Sequence, residues 1–158
     1  MIGPFIFLDV DGVLNKHNSH ANGYCGCDKE SVEILNRIIA ETGAKIVLVS
    51  AWRYFVLRGE MNIAGINGLF CTHGLTWGSI IDVLPPDIPD GTGSADRGQG
   101  VLDWFRDRFG IAHKVNYVIL DDLDLGYSKR HLNFIQINGL SEKDTGHVIA
   151  ILKGIESA

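Results

Sequence analysis

This 158-residue chain is short of several things, and each shortage excludes something. Its three cysteines, Cys25, Cys27 and Cys71, are odd in number and do not form a disulfide framework. Free thiols in a reducing compartment fit that usage, so a cytoplasmic location is expected. No apolar run approaches ~18 residues, so no helix long enough to span a membrane is expected. The N-terminus lacks a basic stretch followed by a long apolar one, so no signal peptide is expected. Positive charge is scarce, with 14 Lys and Arg against 19 Asp and Glu and a formal net charge of −5. That balance argues against a broad nucleic-acid coat but allows a local basic groove. Internal repeats, low-complexity tracts and linkers are absent, and the length suits one compact domain over residues 1–158.

What is present begins at the N-terminus. Phe5, Ile6, Phe7 and Leu8 run directly into Asp9-Val10-Asp11-Gly12-Val13-Leu14-Asn15. The apolar run reads as a buried strand, here expected over residues 4–9. Asp9 and Asp11 stand two residues apart, so in extended chain they point the same way. Gly12 lets the backbone turn sharply after them. Two carboxylates ~4 Å apart at an effective dielectric of ~20 repel by about 4 kcal/mol. The pair therefore calls for a cation, a shared proton, or both.

Helix and strand patterns alternate along the rest. Asp28 is placed to cap a helix over 29–42, with Val32, Leu35, Ile38 and Ile39 on one face and Gly43 ending it. Residues 45–49 read as a strand ending at Ser50, and residues 52–61 as a helix. Residues 69–72 read as a short third strand. Residues 85–98 are a loop rich in Pro, Gly and Asp. A helix over 98–109, a strand over 116–120 ending at Asp121-Asp122, a strand over 134–137 and a helix from Ser141 to about 153 complete the chain. Such alternation implies right-handed crossovers and a mostly parallel five-stranded sheet covered on both faces. Ligands bind beyond the carboxyl ends of such strands. Asp9/Asp11, Ser50 and Asp121/Asp122 all fall there, so the topology gathers them at one edge.

Clustered carboxylates offer hard oxygen ligands suited to Mg²⁺, which commonly shares its site with phosphate. A carboxylate can attack phosphorus to give an aspartyl-phosphate. A second one nearby can protonate the leaving oxygen and then deprotonate water. A serine hydroxyl and a cationic side chain can hold the phosphoryl oxygens.

With these residues in place, the chain resembles the haloacid dehalogenase (HAD) superfamily of phosphohydrolases. Asp9-x-Asp11-Gly12-Val13-Leu14-Asn15 is similar to its first motif, Val49-Ser50 to its second, and Ile119-Leu120-Asp121-Asp122 to its fourth. The ordered set covers nearly the whole chain. The resemblance implies a Rossmann-like three-layer α/β fold, with Asp9 as nucleophile and Asp11 as general acid/base. It implies Mg²⁺ bound by Asp9, the backbone carbonyl of Asp11, and Asp121 or Asp122, and phosphate bound by Ser50. The third motif is a lysine or arginine. Arg97 is chosen here over Lys114, which precedes its strand and falls toward the opposite edge. Arg53, in Ser50-Ala51-Trp52-Arg53, is a second-rank phosphate or substrate contact. Within the superfamily the chain looks most like compact phosphatases, including the phosphatase modules of nucleic-acid end-repair proteins. No loop is long enough for a folded lid, so an open, capless site is expected.

Other features have plainer readings beside functional ones. His17, His20, Cys25 and Cys27 crowd the first long loop and could suit zinc, but the spacing matches no usual finger and glycines adjoin it. A loop over the site, with histidines free to meet substrate, is the alternative. Asp90 to Ser94 is not a dinucleotide fingerprint. Asp124 is assigned to a turn, Cys71 and His73 to the third strand and its exit, and Trp52, Trp77 and Trp104 to core or half-core. Lys129, Arg130 and His131 read as a solvated face or an anion contact. The function expected is a phosphomonoesterase acting on a polynucleotide end or on a small metabolite. A non-catalytic phosphate- and Mg²⁺-binding regulatory module is the other class, and the intact Asp9/Asp11 pair argues against it.

Overall fold

The computed structural model describes residues 3–16, 26–87, 95–111 and 114–155. Five parallel strands form one open sheet in the order β3-β2-β1-β4-β5. They are β1 (Phe5–Leu8), β2 (Lys45–Leu48), β3 (Ile80–Val83), β4 (Tyr117–Asp121) and β5 (Phe134–Gln136). The helices are α1 (Lys29–Thr42), α2 (Tyr54–Leu57), α3 (Ile63–Cys71), α4 (Arg97–Phe109) and α5 (Glu142–Leu152), with a 3₁₀ turn at Ala51–Arg53.

Period-two alternation along the central strands divides the core into two layers. Ile6, Leu8, Ile46, Leu48, Val118 and Leu120 face α1, α3 and α5, where Val32, Leu35, Ile38, Ile66, Phe70, Val148 and Ile151 meet them. Phe5, Phe7, Val47, Val49 and Ile119 face α4 and pack on Val101, Trp104 and Phe105. Burying side chains of this size stabilises by about 1.5–3 kcal/mol each. Because both faces are covered, the central strands are apolar throughout rather than alternating with polar residues.

Two helix ends follow the sequence reading. Gly43 adopts φ 70° and its N–H reaches Ile39 O. The N–H of Ser141 donates to the Asp144 carboxylate at 3.0 Å. Asp28 stands at the N-cap position of α1 without capping it. Its Oδ2 accepts instead from the Lys16 N–H at 3.1 Å.

The middle of the chain departs from expectation. Residues 69–72 are not a strand: Leu69, Phe70 and Cys71 close α3, whose Ile66 and Phe70 face the core. The Asn62 side chain caps that helix by accepting from the Gly65 N–H at 2.8 Å. The third strand is Ile80–Val83, eleven residues further on by its first residue. The single helix expected over 52–61 is broken into the 3₁₀ turn and α2, and Gly59 turns away at φ 74°.

Candidate active site

The strand register sets the site. Leu8 pairs with Leu48 of β2 on one side and Leu120 of β4 on the other. Asp9, Ser50 and Asp121 consequently emerge together past the carboxyl ends of three adjacent strands. The Asp9 N–H is fixed to Leu120 O at 2.9 Å. Beyond Asp9 the chain turns tightly, with the N–H groups of Val13 and Leu14 both reaching Val10 O. Gly12 sits in this turn at φ 83°, and a Cβ there would lie 2.5 Å from Asp122 Oδ2. Only glycine meets both demands, the left-handed backbone and the close approach of a carboxylate. The turn is anchored from the far side by Gly139 N–H to Gly12 O and Leu140 N–H to Val13 O, both 2.7 Å.

Each carboxylate oxygen of Asp9, Asp121 and Asp122 that could serve as a ligand lies within 4.8 Å of the others. Asp9 and Asp121 are buried, at 7% and 1% exposure. Burial pushes the Asp9 carboxyl far above the carboxylate range, and the Asp121 charge and a hydrogen bond shared with Asp122 push it further. Arg97 works against that shift. Burial likewise raises Asp121, opposed by the Leu123 N–H and the Tyr127 hydroxyl. Burial and mutual repulsion thus make ionising both Asp9 and Asp121 costly unless a cation stands between them. Three convergent oxygen donors with excess negative charge fit a hard divalent cation. The Asp11 carboxylate is not among the three. It accepts from Asn15 Nδ2 at 3.2 Å, while fully buried Asn15 also accepts from the Gly12 N–H at 2.9 Å and donates to Gly26 O at 2.9 Å.

Arg97 opens α4, beside the carboxylates. Its Nη1 lies 3.9 Å from Asp9 Oδ1 and 3.8 Å from Asp121 Oδ2. Lys114 precedes β4 and belongs to the other edge of the sheet. Close packing brings α4 to this position: a Cβ at Gly98 would lie 2.0 Å from Gly126 O. The N-cap Asp96 accepts from the Gln99 N–H at 3.0 Å and is gripped by Arg130 Nη2 at 2.7 Å. The Arg130 hydrogen bond holds the Asp96 carboxyl down at about 2. Ser50 is fully buried, and its Oγ accepts from the Trp52 N–H at 3.1 Å. That bond orients the hydroxyl without using its proton.

Arg53 does not serve as the phosphate contact expected of it. It is fully buried, and all five of its N–H donors are taken. Nε donates to Leu84 O at 3.0 Å, and Nη1 to Val49 O at 2.8 Å and Ser50 O at 3.0 Å. Nη2 donates to Pro85 O at 3.3 Å and Asp87 Oδ1 at 2.7 Å. Asp124 stays in its turn, accepting from the N–H groups of Tyr127 and Ser128. His131 is buried between Tyr117 Oη and Gly98 O, 2.8 Å from each, and is not a solvated charge. Trp104 is core and Trp52 half-buried, but Trp77 is 62% exposed. His17, His20 and Cys25 lie outside the described residues, as does Asp90 to Ser94. Burial pushes the Cys27 thiol up to about 12.

Two residues of the site escaped the sequence reading. Tyr127, fully buried, donates its hydroxyl to Asp121 Oδ2 at 2.9 Å. Asp87 Oδ1 accepts from both Arg53 and Arg97. Neither stands in a motif, and a lone tyrosine or a loop aspartate carries no signal of its own.

No curated protein and no solved structure gives a significant match to the chain. A family profile described as the HAD domain in Swiss Army Knife RNA repair proteins matches residues 5–145. That span runs from the first strand through Thr145 of the last helix and takes in every site residue above. The chain belongs to this family of HAD domains.

Proposed function

We propose that the chain is a Mg²⁺-dependent phosphomonoesterase that removes phosphate from RNA ends through an aspartyl-phosphate. The observation that carries the reading is the convergence of Asp9, Asp121 and Asp122 beside Arg97, at the edge where such sheets bind ligands. The RNA substrate is supported by the description of the family. An open site also supports it, since no second folded unit is inserted among the described residues.

In this reading an Asp9 carboxylate oxygen attacks the phosphorus, and the bond to the ester oxygen breaks. Asp11, held by Asn15, gives its proton to the departing hydroxyl. Asp11 then takes a proton from a water that attacks the same phosphorus, which releases inorganic phosphate and restores Asp9. Arg97 and the Ser50 hydroxyl hold the non-bridging oxygens. Asp9, Asp121, Asp122 and the Asp11 carbonyl would hold the Mg²⁺, which supplies positive charge that favours ionised carboxylates and offsets the phosphoryl charge.

Asp9→Asn should abolish hydrolysis of phosphorylated oligonucleotides with the fold intact. Retained turnover in that variant removes the mechanism. A small-metabolite phosphatase is the second reading, favoured by the net charge of −5. Salt separates the two. Binding to single-stranded RNA should weaken steeply, with a log–log slope of about −0.7 for each phosphate contacted. A flat response, with good turnover of sugar or nucleotide phosphates, assigns the metabolite.

A further inference from the structure

Arg97 is a long side chain on the first turn of a helix, and its task in the proposed mechanism requires a fixed direction. Its two contacts with Asp9 and Asp121, at 3.9 and 3.8 Å, are too long to fix it as hydrogen bonds. The contact that does so lies on its other side, where Nε donates to Asp87 Oδ1 at 3.1 Å. Asp87 is itself held, because the same oxygen accepts from Arg53 Nη2 at 2.7 Å. Arg53 cannot drift, since its remaining donors are tied to the carbonyls of Val49, Ser50, Leu84 and Pro85. A continuous chain of contacts therefore runs from the end of β2, where Ser50 sits, through Arg53 and Asp87 to Arg97. The two groups assigned to the phosphoryl oxygens share one rigid post.

We propose that Asp87 is a positioning residue for Arg97, clamping the Nε side of its guanidinium so that Nη1 points between Asp9 and Asp121, and that buried Arg53 is the post on which this clamp is mounted. The inference rests on the phosphomonoesterase reading. A side chain that acts only through Arg97 should matter only while Arg97 is present.

The experiment compares wild type, Asp87→Asn, Arg97→Ala and the double variant. It measures kcat/KM for a phosphorylated oligonucleotide, inhibition by inorganic phosphate, and melting temperature. Asn keeps an acceptor for Arg53 Nη2 but removes the carboxylate paired with that buried guanidinium, so Asp87→Asn should melt below wild type, and the kinetic comparison is made at a temperature where every variant remains folded. The substitution replaces a charge-assisted bond to Arg97 with a weaker neutral one. The expected loss in kcat/KM is roughly tenfold to a hundredfold, the scale of a small misplacement of a catalytic group. Phosphate inhibition should weaken in parallel. In the Arg97→Ala background the same change should cost nothing further. Two results overturn the inference: an active wild type whose kcat/KM and phosphate inhibition Asp87→Asn leaves unchanged, or losses that multiply in the double variant. A wild type that neither hydrolyses phosphomonoesters nor binds phosphate overturns the phosphatase reading and this inference with it. A wild type that binds phosphate without turnover still reports on Asp87 through phosphate affinity alone.

Discussion

Replacing Asp9 with asparagine should make the metal-free protein more stable while removing its response to magnesium. Within the carboxylate group, separations are at most 4.8 Å. At an effective dielectric of ~20, two unit charges at that distance repel by roughly 3.5 kcal/mol. An ionised Asp9 therefore meets about 7 kcal/mol of repulsion from Asp121 and Asp122. Arg97, at 3.9 Å, returns about 4 kcal/mol. Burial adds to the deficit, as the raised Asp9 carboxyl indicates. Asparagine has the shape of a protonated aspartate and never ionises, so at pH 8 in a chelator the variant should gain about 2–3 kcal/mol. For a domain of this size that corresponds to a melting temperature roughly 4–12 °C higher.

The sign with pH follows from the direction of the shift. Asp9 has a folded pKa above its unfolded value. Its contribution is fully present below about pH 4 and is lost as pH rises through the raised folded value. Metal-free wild type should thus lose stability from pH 5 to pH 9 more steeply than the variant. Mg²⁺ should raise the melting temperature of wild type much more than that of the variant. Thermal melts of both proteins across that pH range, with chelator and with Mg²⁺, decide the matter. A variant that melts below wild type at pH 8 in chelator, or follows the same pH slope, refutes the reasoning.

Three further outcomes follow from individual contacts. Tyr127→Phe removes the hydroxyl that Asp121 Oδ2 accepts, and should cost about 1–3 kcal/mol with weaker Mg²⁺ binding, read by thermal melts and calorimetric titration. Gly12→Ala should destabilise the fold and weaken Mg²⁺ binding together, since it forces a side chain onto Asp122 at a left-handed backbone position; an unchanged Mg²⁺ titration contradicts this. Asp96 has a folded pKa of about 2, below its unfolded value, so its contribution is present above about pH 4 and is lost as pH falls through 2. Arg130→Ala should therefore flatten the acid limb of stability between pH 4 and pH 2 in acid titrations followed by circular dichroism.

The residues that sequence could place are those whose roles are set by strand ends. Asp9, Ser50 and Asp121 each follow a run of apolar residues buried on both sheet faces, and parallel pairing alone brings such ends together. The β3 strand was hidden because Asp82 interrupts Ile80, Ile81 and Val83. In the fold that acid is satisfied by the Trp104 indole N–H at 2.9 Å and by Arg108, partners supplied by a helix more than twenty residues away. Separation in sequence also hid Asp87, whose partners Arg53 and Arg97 lie 34 and 10 residues off. Arg53 shows the converse error. Next to Ser50 its charge suggested a phosphate, yet fully buried it serves four backbone carbonyls and one carboxylate. Local patterning fixes where a strand stops and which way its last carboxylate points. Whether a cation then faces substrate or supports the loop beneath is decided by the number of buried acceptors that tertiary packing leaves around it. At Arg53 those acceptors equal its donors, whereas Arg97 Nη1 stands 3.9 Å from Asp9 and 3.8 Å from Asp121, beyond hydrogen-bond reach of both, and keeps donor capacity on the side that faces those carboxylates.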